Sequence, residues 1–313
     1  MTHTTHRPDP DAHDSVYAGL LGNDAHWAFG SDFDDPLAGV DVTVPPDVDA
    51  CALAAYCLML GDDALVVAQR LAEWTSRAPD LEEDIAVANV ALDLLGQARL
   101  LLARAAAADP GCVPVLPADS PVPDEDRLAY FRDAEQFRNV RLAELPNGDF
   151  AELVVRLLAL STWRLAVFVR LAEHPDPVLS AIAAKGVKEL TYHRDFAARW
   201  VVTLAGGTDE SRRRLASALA HVAPWLGELF VGAVAEVAVG VDPAEVRSEF
   251  EDVVAQVGLA APDGDRPRAG QLSLAVGEPL AGPYGRDGGH TEALSRLLAE
   301  MQVVARAHPM GRW

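Results

Sequence analysis

Residues 81–99 read LEEDIAVANVALDLLGQAR. Wound as an α-helix at about 100° per residue, this stretch brings Glu82, Asn89, Asp93 and Gln97 into one narrow arc. Leu, Ile, Val and Ala take most of the remaining circumference. Such a polar stripe has three readings: half of a metal site, a solvated outer seam, or the remnant of a metal site without its metal. The rest of the chain decides between them.

Helical periodicity starts after VPPDVD, because Pro45 and Pro46 bar a helix earlier and Asp47 or Asp49 can cap one. Residues 1–46 are rich in Pro, Gly and Asp and read as an irregular N-terminal extension. The long helices are predicted over 49–77, with a kink at Gly61, and over 80–108, 149–173 and 178–205. A shorter helix is predicted over 125–145. Further helices follow over 210–230, divided at Pro224, and over 244–257 and 291–307. No run of alternating β-branched residues appears. The pattern is all-α: a core bundle over 49–207 with appended helices over 208–307, forming one domain from residue 47 to 313.

The chain has 313 residues, half of them hydrophobic, enough for a large core. Its formal net charge is −21, with 47 acidic against 26 basic residues. Such a surface repels nucleic acid and anionic lipid, so neither is expected as a partner. Leu-rich stretches are interrupted by Arg, Asp or Glu, and no membrane span is expected. The opening MTHTTHRPDPDAHD lacks the charged and apolar regions of a signal peptide. Cys51, Cys57 and Cys112 match neither a disulfide framework nor a zinc motif. The expectation is a soluble cytoplasmic protein.

A bundle with inward polar residues raises the possibility of a di-iron carboxylate site. That site takes a Glu from each of two helices and a Glu-x-x-His from each of the other two. The chain's acidic-x-x-His match is Asp287-Gly-Gly-His290, in a glycine loop. Asp93 is followed three residues on by Gly96, and Leu190 stands three residues before His193. The helix over 149–173 offers Glu152 near its start, with Trp163 and Arg156 further along; an arginine there repels metal. The inward polar set is Gln69 and Glu73, then Asn89, Asp93 and Gln97, then Glu189 and His193. This falls short of a di-iron ligand set. A mononuclear site from Glu73, Asp93, Glu189 and His193 is conceivable, but these residues read better as a mutually hydrogen-bonded network or a solvated seam.

At this point a family likeness emerges. The runs YCLMLGDDALVVAQRLAEW (56–74), LEEDIAVANVALDLLGQAR (81–99), FRNVRLAELPNGDFA (137–151), KELTYH (188–193) and GGHTEALSRLLAEMQ (288–302) resemble the PaaC subunits of ring-1,2-phenylacetyl-CoA epoxidases. They span most of the chain from about residue 50 onward. The resemblance implies a ferritin-like fold within a multicomponent oxygenase of aerobic phenylacetate catabolism. It implies a sister subunit that holds a di-iron centre, and a reductase that delivers electrons from NADPH through flavin and iron–sulfur groups. It also implies a structural role for this chain, with no cofactor, metal or catalytic residue of its own. The competing readings are an autonomous ferritin-like metal-dependent oxygenase and a helical scaffold unrelated to oxygenation.

Smaller features have plainer readings. His221, beside Pro224 and Trp225, reads as a satisfied, partly buried histidine. Arg212, Arg213 and Arg214 read as a solvated face. Gly288-Gly289-His290-Thr291 reads as a glycine loop in which Thr291 caps the last helix. Trp225, Leu226, Leu229 and Phe230 read as exposed apolar residues available to a partner protein.

Overall fold

Asp49 ends the irregular backbone left by the two prolines: its carboxylate accepts the Ala52 N–H at 2.9 Å and starts α1 (Ala50–Ala72). The computed structural model describes residue 37 and residues 39–259 and 272–311. The extension expected over 1–46 therefore lies largely outside the described residues. Asp80 caps α2 (Leu81–Ala108) by accepting from the Glu82 and Glu83 N–H groups. Glu82, Glu83 and Asp84 fill the first turn, where negative charge suits the helix dipole.

The single helix predicted over 125–145 does not form. The chain makes α3 (Asp124–Tyr130), a 3₁₀ turn at Ala134–Gln136 and the one-turn α4 (Arg141–Glu144). The reason is tertiary. The backbone N–H of Arg138 goes to Asp62 and that of Val140 to Asp63, each at 2.8 Å, so two α1 carboxylates replace the helical acceptors. Next come α5 (Phe150–Leu171), capped by Asp149, and α6 (Pro177–Gly206), capped by Asp176 with Pro177 in the first position.

The chain divides at Pro224 as the sequence predicts, with α7 (Asp209–Val222) passing into a 3₁₀ stretch, Ala223–Phe230. The short α8 (Val234–Val239) was not expected; α9 (Arg247–Gln256) and α10 (Glu292–Ala307) were. Thr291 caps α10 as its position in the sequence suggested.

The pairs α1/α2 and α5/α6, each joined by a short connection, pack together as a four-helix bundle of the ferritin-like kind. Trp163, Tyr56, Phe168, Leu53, Leu101 and Leu158 fill its interior. No kink appears at Gly61, which instead lets α2 approach: a Cβ there would lie 3.0 Å from Leu102 Cδ2. The later helices clasp the bundle, α7 on α5 and α6, α8 on α1, and α10 on α3 and α4.

Three expectations about surfaces need correction. Leu226, Leu229 and Phe230 are buried, because the 3₁₀ stretch turns them under the loop that precedes α10. The apolar circumference of α2 is not all core. Val87, Val90, Leu94 and Leu101 are buried, while Leu81, Ile85, Leu92 and Leu95 remain 44–68% exposed on the opposite side. By length and hydropathy α1 and α2 both reach the range of a membrane span. The charges that were expected to interrupt them are too few, although α1 is largely enclosed by the rest of the fold and buries Asp62 and Asp63.

Candidate functional site

The polar stripe of α2 runs obliquely out of the core. Glu82 and Asn89 are exposed, Asp93 is half-buried, and Gln97 is buried. Asp93 accepts from Nε2 of the buried His193 on α6 at 3.0 Å, which assigns the hydrogen on that nitrogen. Gln97 donates to Glu189 on α6 at 2.9 Å and accepts from Arg164 Nε on α5 at 3.0 Å. Glu189 also pairs with Lys185 at 3.1 Å, one turn earlier on its own helix.

The expected single network is therefore two local contacts. Glu73 does not join either. It caps the C-terminal end of α1 and pairs with Arg70 at 2.9 Å and with the Asn147 amide at 2.8 Å. Gln69 is half-buried and its side chain makes no hydrogen bond to the described residues, while Asn89 faces solvent. Helical spacing placed all seven residues on inward arcs, but a helix of 28 residues presents its two ends to different neighbours.

Arginine decides the chemistry of the centre. Arg156, the residue expected to repel metal, lies at the end of the bundle and donates to the Leu145 carbonyl. The inner position belongs to Arg164, two turns further on. Its Nε reaches Gln97, its Nη1 reaches the Leu60 carbonyl at 3.0 Å, and the Phe168 ring covers its face at 4.4 Å. Phe168 comes this close because residue 186 is glycine; a Cβ there would lie 2.6 Å from the ring. Desolvation pulls the Arg164 guanidinium down to about 10, with Asp63 nearby opposing that shift. It remains a cation at neutral pH.

A second arginine enters from the far end of the chain. Arg286 forks onto both oxygens of Asp63, at 3.0 and 2.8 Å, and reaches Glu236 at 3.3 Å. Burial works against this cation, yet Asp63 and Glu236 hold its pKa well above the ordinary arginine range. Burial also raises the Glu236 carboxyl, with Arg286 opposing the shift. Nearby, Arg132 pairs with Asp62 and Arg141 with Glu228, while Glu144 receives the Thr291 N–H, Asn139 and His290. None of these pairs was foreseen. Their signal was present, since Asp62-Asp63 and Arg156/Arg164 interrupt otherwise apolar helices, and a charge in such a place needs a partner.

These donors do not suit a divalent metal. Gln97 and Glu189 are spent on each other, on Arg164 and on Lys185, and a buried guanidinium stands among them. Among the described residues, three potential ligand side chains converge within 4.8 Å at Asp80, Glu82 and Glu83, on the surface around the start of α2. The Asp287-x-x-His290 match does not share a face: Asp287 is exposed, and His290 turns inward to Glu144 at 2.8 Å. His221 is more exposed than expected, with Nδ1 3.0 Å from Glu152. Arg212, Arg213 and Arg214 pair with Asp209 and Glu210 on their own helix, as a solvated face would. All three cysteines are free, Cys57 buried and Cys51 exposed.

A ferritin-like bundle whose centre holds arginine and paired carboxylates defines a class of protein built on an oxygenase frame. The chain belongs to the family of phenylacetic acid catabolic proteins, whose model matches residues 39–313. Among its relatives is the PaaC-type component of the 1,2-phenylacetyl-CoA epoxidase of Escherichia coli (strain K12). The two are 40% identical over 267 residues, covering 83% of this chain and 99% of that protein.

Proposed function

We propose that this chain is a structural, non-catalytic subunit of a phenylacetyl-CoA epoxidase and pairs with a sister subunit that holds a di-iron centre. Arg164 carries the reading: a desolvated guanidinium among Gln97, Glu189 and His193 opposes a divalent ion where a ferritin-like oxygenase needs one. The name of the E. coli relative supports a multisubunit setting. The exposed Leu81, Ile85, Leu92 and Leu95 on α2 support a partner-facing surface. In this reading the chain holds its partner's bundle in shape, a reductase delivers electrons from NADPH through flavin and iron–sulfur groups, and the complex works in the cytoplasm.

Co-expression with the sister subunit tests the proposal. The two chains are expected to co-elute, and phenylacetyl-CoA is expected to be epoxidised when reductase and NADPH are supplied. This chain alone is expected to give no turnover and to carry no stoichiometric iron after growth with added iron. Turnover together with tightly bound iron in this chain alone would make it an autonomous oxygenase. Full activity of the sister subunit without it, and no co-elution, would make it a scaffold unrelated to oxygenation.

A further inference from the structure

The bundle centre contains a cavity of about 20 Å³, room for one water-sized or halide-sized guest. Arg164, Trp163 and His193 line it, together with Leu, Val and Ala side chains from the four long helices. Three polar atoms on these lining residues are buried and unpartnered: Arg164 Nη2, Trp163 Nε1 and His193 Nδ1. The three residues are each at most 4% exposed. Native interiors leave few such groups unpaired, and three around one small space point to a guest.

We propose that this cavity binds a small monovalent anion of halide size, held by Arg164 Nη2 and the Trp163 indole N–H. Charge selects an anion. The other two bonds of the Arg164 guanidinium go to neutral acceptors, the Gln97 amide oxygen and the Leu60 carbonyl. Asp63 also lines the cavity, but its oxygens are taken by Arg286 and the Val140 N–H. Glu189 is engaged by Gln97 and Lys185. The guanidinium thus has no carboxylate in hydrogen-bonding contact, and a buried cation in that position is stabilised by a counter-ion. Size and lining select a monovalent one: the rest of the wall is largely apolar and offers few donors for a polyvalent oxyanion. An anion site at a ferritin-like centre inverts the charge logic of a metal site, with a fixed cation in the protein and a mobile anion as guest.

Bromide, which scatters anomalously, tests this on the full-length chain. Crystals soaked in bromide are expected to show one anomalous peak within hydrogen-bond reach of Arg164 and Trp163. In solution, replacing gluconate by chloride at constant ionic strength is expected to raise the unfolding temperature saturably. Trp163→Phe, which keeps an aromatic ring and removes the N–H, is expected to weaken chloride binding by about tenfold. Arg164→Gln is expected to abolish the response. Should that variant not fold, the bromide map and Trp163→Phe still decide. Water alone in the cavity at saturating bromide, or identical unfolding temperatures in chloride and gluconate, would overturn the proposal. None of these readouts uses turnover, so their outcome is separate from the proposed place in an epoxidase.

Discussion

Asp93 and His193 face each other across α2 and α6 at 3.0 Å, one carboxylate 37% exposed and one imidazole fully buried. The pair spans the boundary between bundle interior and solvent. Asp93→Ala leaves a buried ring nitrogen without its acceptor and is expected to lower stability by about 1–3 kcal/mol. Asp93→Asn, whose amide oxygen still accepts, is expected to cost less. Denaturant midpoints at unchanged m-value check both, and a silent Asp93→Ala would return the pair to a solvated seam.

Removing one partner of the deepest ion pair should cost more. Asp63→Ala strands the Arg286 guanidinium against Glu236, and Arg286→Met strands the Asp63 carboxylate, both inside the fold. Breaking a buried pair from one side typically costs about 3–5 kcal/mol. The double variant is expected to be less damaged than the sum of the singles. A double-mutant cycle by chemical denaturation reads that coupling directly.

His290 links the loop before α10 to pH. Its Nδ1 meets Glu144 and its Nε2 meets the Phe137 carbonyl at 3.0 Å, so two acceptors face a ring that satisfies both only as imidazolium. Burial alone would lower its pKa, but the Glu144 hydrogen bond and charge and the Phe137 carbonyl together raise it above the ordinary histidine value. A raised folded-state pKa gives stability that is complete below the unfolded value, about 6.5, and is lost as pH climbs through the folded one. An NMR titration of the His290 ring is expected to show a midpoint above about 6.5, displaced downward by Glu144→Gln.

Gly186→Ala is expected to destabilise although alanine is the better helix former. The propensity gain is about 1 kcal/mol, while a Cβ 2.6 Å from the Phe168 ring forces that ring off the Arg164 guanidinium. Overpacking of this kind costs about 1–3 kcal/mol. A thermal midpoint equal to or above wild type would show that Phe168 moves aside freely.

The proposed partner surface can be probed without touching the core. Leu92→Asp places a charge on the exposed side of α2, away from Gln97 and Arg164. The variant is expected to fold with an unchanged midpoint yet fail to co-elute with the sister subunit, because a desolvated lone charge is costly at an interface core. Retained co-elution would move the contact to another face.

Local signals in the sequence carried the long helices, since Asp49, Asp80, Asp149, Asp176 and Thr291 each cap a helix from within three residues. Capping and periodicity are local and can be read from neighbours. The centre is not local. Asp62 meets Arg132 from 70 residues away and Arg104 meets Asp176 from 72, and no spacing rule encodes such partners. The same contacts broke the helix predicted over 125–145, because Asp62 and Asp63 took its backbone donors. The stripe on α2 was correctly seen as polar. Which part of it lies inside depended on how α6 crosses it, and that was invisible.

The grip of Arg286 on Asp63 also sets an order of assembly. The two residues are 223 positions apart, so a ribosome adding about 5–20 residues per second completes the pair roughly 10–45 s after Asp63 is made. Until then the four long helices already exist, with a carboxylate in their midst whose forked cation has yet to be made. The nascent bundle is thereby held short of closure, and the last turn of loop before α10 locks it.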